Sequence, residues 1–235
     1  MTEVQRARLP LQSLTPPEPG EAAVWIMQLK QLPVMQAEPP TALKSRLIQR
    51  RMGQKFILRL LLGAYLSIPG RDVQLAHNRS GKPHVSSAQH NTDLAFNLSH
   101  ADDWLCIAVT SGAAIGIDIE SRNRDLRWRQ LAARYFSPEE ADWLNAMSPT
   151  AGAVQFLRHW TAREAMIKAM GHTIAGSIGR VVLSTETAPS IVSMPQAWGE
   201  TTRWSLQAVA IHPELVCHLA SPCPLERVNR IALAL

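Results

Sequence analysis

The sequence has no apolar run long enough to span a lipid bilayer. A transmembrane helix needs about 20 mainly apolar residues, and the longest candidate, residues 56–66, carries Arg59 in its middle. The N-terminus has Arg6 and Arg8, but no hydrophobic region or small-residue cleavage site of a signal peptide accompanies them. We therefore expect a cytoplasmic protein that does not enter a membrane.

Cysteines are also few: there are three in 235 residues, without the spacing of zinc ligands. An odd number without a paired pattern indicates reduced thiols, as in the cytosol. Cations are in excess, and the net charge is +5. This excess suits a nucleic acid, a phosphorylated small molecule or an acidic protein surface, and it also suits solubility alone. Composition does not choose among these.

The order of predicted elements repeats along the chain. Residues 1–20 contain four prolines and are expected to form a loose leader. After them, a long helix followed by about three antiparallel strands occurs twice, with no residue-level repeat. We predict an α+β fold of two similar lobes, residues 21–115 and 116–235, with a pseudo-twofold relation and a ligand site between them. The predicted helices are 41–68, 151–170 and one that starts at Ser137, and the predicted strands are 22–29, 73–76, 94–98, 104–110, 114–120, 180–184, 203–211 and 214–220.

Two acids alternate along one of these strands. Because alternate side chains share a face, Asp118 and Glu120 should project together, with Ile117 and Ile119 on the other face. Neighbouring carboxylates repel one another unless they are solvated at a strand end or share a hard cation. The spacing alone leaves both interpretations open.

A third acid, Glu164, lies on the second long helix four residues before Lys168. Such a pair is common on exposed helix faces. Here, however, the pair continues a stripe that contains Leu157, Trp160 and Gly171 and extends from an apolar face. A charged pair carried towards the core needs a further partner, and a metal ion with phosphates would be one.

Two short segments have the chemistry of phosphate contacts or of ordinary turns. Ser99 and His100 end a predicted strand, and they do not resemble a nucleophilic pair because sequence neighbours on a strand point to opposite faces and there is no Gly-x-Ser-x-Gly elbow. Residues 78–83 are basic and contain Gly81, but they lack the spacing of a P-loop. Each segment alone is compatible with a simple turn.

Taken in order, these motifs resemble the 4′-phosphopantetheinyl transferase superfamily. They read Gly-Lys-Pro at 81–83, Phe-Asn-Leu-Ser-His at 96–100, Gly-Ile-Asp-Ile-Glu at 116–120 and Trp-x-x-Arg-Glu-Ala-x-x-Lys-x-x-Gly at 160–171. The chain is most similar to the two-lobed monomeric type that activates peptide and polyketide synthases. The resemblance covers about residues 43–171 and implies transfer of 4′-phosphopantetheine from coenzyme A (CoA) to a serine of an apo acyl or peptidyl carrier protein, with release of 3′,5′-ADP.

The resemblance also implies a metal site. The family's acids match Asp118, Glu120 and Glu164, which would hold Mg²⁺, with Mn²⁺ as a substitute, against the pyrophosphate of CoA. Mg²⁺ prefers oxygen ligands and often bridges phosphates. The resemblance gives Glu164 a second role as the base that deprotonates the carrier serine, directly or through a water. Lys168 would neutralise or protonate the departing 3′,5′-ADP.

Further residues match the family's CoA contacts. Arg163 stands where the family usually has lysine, and Asp102 and Asp103 stand where many relatives have Ser-Gly. The first change exchanges a point charge for a planar fork, and the second places acids near the expected phosphate pocket. The implied CoA-binding residues are Arg46, which lies on a helix that also carries a basic stripe of Arg51, Lys55 and Arg59, and Gly81, Lys82, Pro83, Ser99, His100, Asp118 and Lys168.

A basic and apolar segment, residues 123–136, follows the strand acids. By its composition it is an amphipathic connector. In the family, the corresponding region receives the carrier protein, whose recognition helix is acidic, so basic and apolar side chains would suit it. The basic residues are Arg124, Arg127, Arg129 and Arg134, and the apolar ones include Leu126, Trp128, Leu131 and Phe136.

Two other functions compete with carrier modification. A nucleic-acid-binding module would use the same arginines, but no known DNA- or RNA-reading motif is present and stacking aromatics are sparse. A Mg²⁺-dependent hydrolase of nucleotides or CoA would need the same metal site and no carrier protein. The resemblance favours the transferase, and we expect no nucleic-acid partner and a monomer.

Overall fold

The computed structural model describes residues 4–36, 43–173 and 176–234. The first two residues of the helix predicted over 41–68 lie outside these ranges. Within them, no helix is both long and apolar enough to cross a membrane. The helices are α1 Pro33–Gln36, α2 Leu43–Leu66, α3 Trp128–Tyr135, α4 Pro138–Asn145 and α5 Pro149–Ala169. The strands are β1 Gln5–Arg8, β2 Glu21–Gln28, β3 Leu75–His77, β4 Pro83–Val85, β5 Leu94–Ala101, β6 Trp104–Ser111, β7 Gly116–Ser121, β8 Val182–Leu183, β9 Ile191–Ser193, β10 Ser205–Ala208, β11 Leu215–Ser221 and β12 Arg227–Ala234.

The strands form two main sheets and two small hairpins. The larger sheet has the order β1-β12-β2-β6-β5, the smaller has the order β10-β11-β7, and β3-β4 and β8-β9 are two-stranded. Most pairs are antiparallel, as predicted, but β12 is parallel to both of its neighbours. The α+β class is therefore confirmed, while the pseudo-twofold relation of two lobes stays a prediction.

Sheet membership differs from the sequence-based division in two places. Residues 5–8, predicted as part of a loose leader, form β1 and pair with the last strand. That last strand, β12, lies beside β2, although the lobe boundary assigns it to residues 116–235. Sequence patterning could not show this because strand pairing over some 200 residues leaves no local signal. The division at residue 115 stays a prediction.

The two main sheets pack face to face, with one long helix outside each. On the outer face of the larger sheet, α2 contributes Ile57 and Leu61 to a core that includes Trp25, and the Trp25 indole donates a hydrogen bond of 2.9 Å to the Tyr65 hydroxyl. Between the sheets, β6 and β7 contribute small and branched apolar side chains such as Ala108 and Ile117. The result is a four-layer molecule in which β7 is covered by α5.

Two predicted helix signals fix the position of α5 and its neighbour. Ser137 forms a capping box with Glu140 at the start of α4, as its sequence indicates. Gly171, predicted to follow the second long helix, has a φ of +67°, which an L side chain rarely adopts. At the other contact of α5, a Cβ added to Gly116 would lie only 2.0 Å from the Ala165 carbonyl oxygen. Glycine therefore lets β7 approach the helix closely.

Candidate active site

The three predicted acids and Lys168 meet where β7 faces α5. The Lys168 ammonium donates to Asp118 Oδ1 at 2.5 Å and lies 3.7 Å from Glu164 Oε2. Ser99 on β5 completes the cluster, since its hydroxyl donates to Asp118 Oδ1 at 2.8 Å and accepts from Lys168 at 3.1 Å. Strand alternation together with the family resemblance thus predicted that these side chains lie close together, while their roles stay a prediction.

Burial makes this cluster electrostatically unusual. Burial, followed by the negative charge of Asp118, raises the pKa of Glu164 to about 8, and the Lys168 charge offsets only part of this. For Lys168, burial acts to lower the pKa, but the carboxylates of Asp118 and Glu164 outweigh it and raise the pKa. Burial also raises the pKa of Glu120, against the hydrogen bond that its carboxylate accepts from Arg124. The positive charges of Lys168 and Arg124 therefore do not fully offset the burial of Glu164 and Glu120 and the negative charge of Asp118 beside them.

The chemistry of the donor set, though not its geometry in this structure, suits a divalent cation. Asp118 Oδ2 is buried and has no hydrogen-bond partner, which is costly unless a ligand satisfies it. Carboxylate oxygens are the ligands that Mg²⁺ prefers. However, no group of three or more His, Cys, Asp or Glu side chains in the described ranges stands in metal-binding geometry. Lys168, rather than a third carboxylate, makes the close contact with Asp118.

A cavity of about 520 Å³ opens over the cluster and draws on both halves of the chain. It is lined by α2, by the loop before β4, by β5, β7 and α5. Arg46 is not among the lining residues and lies exposed on α2. The other predicted site residues do line it, namely Gly81, Lys82, Pro83, Ser99, His100, Asp118, Glu120, Glu164 and Lys168.

Lys82 is committed to backbone contacts at the edge of this cavity. Its ammonium donates to the carbonyl oxygens of Ile115 at 2.9 Å, Lys168 at 2.6 Å and Ala169 at 3.3 Å, and burial lowers its pKa to about 8. Asn78 shapes the loop by accepting from the Lys82 backbone N–H at 2.8 Å and donating to the Gly171 carbonyl at 3.2 Å. The loop thereby fastens to the C-terminal end of α5.

His100 lies at the exposed rim of the cavity. Partial burial, then the positive charges of Arg50 and Lys168, lower its pKa. A neutral imidazole can donate one hydrogen bond and accept another. His100 therefore offers the rim of the cavity one donor and one acceptor, and the positive charges of Arg50 and Lys168 lie close enough to act on it.

Arg163, noted as a departure from the family pattern, does not line the cavity. Its guanidinium is fully buried, pairs with Glu140, and donates to the carbonyls of Val181 and His159 at 3.1 Å each. The Phe136 ring lies 3.9 Å from its central carbon. The planar fork is used to bind α5 to its neighbours rather than to contact a ligand.

Two site residues were missed from the sequence. The Asn97 side chain accepts from the Ile117 backbone N–H at 2.9 Å and so ties β5 to β7, one strand repeat before Ser99. Gln54 on α2 lines the cavity, and its Nε2 is buried without a partner. Both could have been found, because Asn97 shares a strand face with Ser99, and Gln54 is a polar residue on the face that carries Leu58 and Leu61.

A second cavity, of about 890 Å³, lies on another side of α2 and has no ionisable side chain in its lining. Leu60, Leu9 and Ile68 are among the residues that form it. Its size exceeds that of the cavity at the acids, but it has none of the charged groups that catalysis would require. The cavity over Asp118 and Glu164 is therefore the candidate active site.

The acids and the loop match a known family. Two family models cover most of the chain: the 4′-phosphopantetheinyl transferase superfamily matches residues 114–220, and the N-terminal region of 4′-phosphopantetheinyl transferase matches residues 33–112. The first contains the acids of β7 and α5, and the second contains α2 and Lys82.

Curated relatives agree with the family models. The 4′-phosphopantetheinyl transferase HetI of Nostoc sp. is 33% identical over 60% of this chain and 60% of its own length. The 4′-phosphopantetheinyl transferase AcpT of Salmonella typhi is 35% identical over 54% of this chain and 63% of its own length. A 4′-phosphopantetheinyl transferase of Aneurinibacillus migulanus, gsp, is 32% identical over 50% and 46%. The chain thus spans between about half and two thirds of these relatives, and it belongs to the 4′-phosphopantetheinyl transferase superfamily.

Proposed function

We propose that the protein transfers the 4′-phosphopantetheine arm of CoA to a serine of an apo carrier protein and releases 3′,5′-ADP. The observation that supports this most is the meeting of Asp118, Glu164 and Lys168 in one cavity. A buried acid with a raised pKa beside a partly buried ammonium suits proton transfer. The names of its relatives point to the same activity.

The reaction needs one bond to form and one to break. The serine oxygen attacks the phosphorus that carries pantetheine, the bond from that phosphorus to 3′,5′-ADP breaks, and the serine proton leaves. Glu164 would take the proton in its ionised form, since burial raises the pKa of its carboxyl group to about 8 and makes that carboxylate a stronger base than an ordinary one. Lys168 stabilises the charge that develops on the departing phosphate.

Asp118, Glu120 and Glu164 would hold Mg²⁺. When bound, the metal supplies positive charge to the pyrophosphate oxygens. The orphaned Asp118 Oδ2 supports this assignment, since it is a buried acceptor without a donor. Ser99 and Asn97 keep Asp118 and β7 in position through their hydrogen bonds.

Intact-mass measurement of carrier proteins tests the proposal. The protein is incubated with CoA, Mg²⁺ and a panel of apo carriers from fatty-acid, polyketide and peptide synthases. We expect at least one carrier to gain one phosphopantetheine, while a variant of that carrier with Ala at the acceptor serine gains none. Hydrolysis of CoA with every carrier unmodified would instead establish the competing hydrolase.

A further inference from the structure

Large apolar side chains are exposed mainly on one helix. Five large hydrophobic residues are exposed in the described part of the chain, and four of them lie on α2: Leu47, Ile48, Met52 and Phe56. Their exposed fractions are between 48% and 61%. Scattered single residues of this kind are ordinary, whereas a contiguous group marks a contact surface.

Three of these residues form a ridge. Ile48, Met52 and Phe56 are spaced at i, i+4 and i+8, so they line up along α2 over about 12 Å at 1.5 Å per residue. The ridge belongs to neither the core nor the active site, because the opposite face of α2 supplies Ile57 and Leu61 to the core. Met and Phe are enriched at protein interfaces.

Cations follow one side of the ridge. Lys44, Arg51 and Lys55 are exposed, and at about 100° per residue they fall between the ridge and Gln54, which lines the active-site cavity. None of the three is in an ion pair with an acid in the described ranges. Their charge is therefore available to an acidic partner.

The other side of the ridge is concave. Phe56 borders the apolar cavity of about 890 Å³, whose lining continues through Leu60 and Ile68. A flat bilayer surface would not fill such a recess, whereas a large side chain on a partner helix would. The order of cationic strip, apolar ridge and recess across α2 is complementary to a helix with an acidic edge and an apolar face.

The family resemblance implies a basic and apolar contact surface elsewhere, on residues 123–136. There the arginines are exposed, but the aromatic residues are not: Trp128 and Phe136 are 6% and 8% exposed. Trp128 and Phe136 belong to the core around Phe156. That segment therefore offers exposed cations and only partly exposed apolar side chains, Leu126, Leu131 and Tyr135, whereas α2 offers exposed cations together with apolar side chains that are about half exposed.

We infer that the exposed face of α2, formed by Ile48, Met52 and Phe56 with Lys44, Arg51 and Lys55, is a docking surface for an acidic amphipathic helix of a partner protein. The surface is separate from the acids of the active site and does not depend on the transferase reaction. The partner's apolar side chains pack along the ridge, one of them enters the recess beside Phe56, and its acids pair with the three cations.

The probe is a synthetic helical peptide with Leu and Phe at i, i+4 and i+8 and Glu along one edge, compared with a scrambled peptide of the same composition. Fluorescence anisotropy measures its binding to the wild type and to Met52→Glu, Lys55→Glu and Val192→Glu. Val192 is the matched control, since it is 59% exposed on β9, away from α2. Circular dichroism confirms that each variant is folded, as expected for exposed positions.

We expect the designed peptide to bind the wild type and Val192→Glu equally, to lose at least tenfold in affinity for Met52→Glu and Lys55→Glu, and to bind more weakly at high salt. Equal binding to all four proteins, or no preference over the scrambled peptide, would overturn the inference. Two other results would also overturn it. One is that the protein is retained on anionic phosphatidylserine vesicles and Met52→Glu abolishes the retention, which would make a membrane the occupant. The other is that the protein dimerises in sedimentation and Met52→Glu abolishes the dimer, which would make a second copy the occupant.

Discussion

At the scale of single residues, the acids of the site follow from the sequence and their neighbours do not. Alternation on a strand predicted that Asp118 and Glu120 share a face, and the family resemblance implied that Glu164 and Lys168 join them. The contacts that hold this group cross between elements, as from Asn97 to the backbone of Ile117. A hydrogen bond between two strands in different sheets depends on the packing of those sheets, which no local pattern encodes.

Gln54 yields a prediction at this scale. Its buried, unpartnered Nε2 lines the active-site cavity, so a ligand acceptor there would remove a cost of about 1–3 kcal/mol. Gln54→Met should raise KM for CoA about fivefold to a hundredfold with little change in kcat. Gln155→Met is the control, because Gln155 also has a buried unpartnered amide atom but does not line the cavity. Equal effects of the two substitutions on KM would contradict the role of Gln54.

At the scale of elements, the long helices and most strands were predictable, and the contacts of terminal strands were not. The C-terminal end of α5, at Ala169, agrees with the prediction to within one residue, because a glycine that follows a helix, here Gly171, is a local signal of the helix end. β1 and β12 form a parallel pair through residues distant in sequence. Patterning also predicts which face of a helix is apolar, but not whether it is covered: Leu47 continues the apolar pattern of α2 and is 48% exposed.

The contact between β7 and α5 gives a prediction for elements. A Cβ on residue 116 would overlap the Ala165 carbonyl oxygen at 2.0 Å, and backbone on both sides leaves little room to adjust. Gly116→Ala should therefore lower the free energy of unfolding by about 3 kcal/mol or more and separate Glu164 from Asp118, which lowers activity in the fraction that still folds.

Denaturant unfolding together with the carrier assay measures both effects. Gly81→Ala is the control for steric overlap, because no atom lies within 4 Å of a Cβ added to Gly81. Its φ of +85° means that this control still carries backbone strain. If Gly116→Ala were as stable and active as wild type, the close approach of β7 to α5 would be wrong.

At the scale of the whole molecule, buried ionisable groups couple stability to pH. Burial, followed by the positive charges of His159 and Arg158, lowers the pKa of His218 to about 3. His218 is fully enclosed beneath α5, where it shares a hydrogen bond of 2.8 Å with Thr161. Since its unfolded pKa is about 6.5, the unfolded chain takes up a proton first as pH falls.

The resulting prediction concerns the difference in the free energy of unfolding between the wild type and His218→Gln. Below pH 6.5 the wild type should lose up to about 1.4 kcal/mol per pH unit through His218, and His218→Gln should not. The free energy of unfolding of His218→Gln relative to wild type should therefore rise between pH 6.5 and 4.5. The other titrating groups, including Glu164, are present in both proteins, so their contributions to the pH dependence cancel in the difference between the two free energies of unfolding. A difference independent of pH, measured by urea unfolding, would show that His218 is not held neutral.

Glu164→Gln tests whether the buried acid of α5 serves the transfer of phosphopantetheine. The substitution keeps the shape and removes a carboxylate that Asp118 repels, so stability should be at least that of wild type. In single-turnover measurements by intact mass, with CoA and a carrier that the wild type modifies, we expect the folded variant to transfer at a rate at least a hundredfold lower. Transfer at the wild-type rate by Glu164→Gln would contradict it.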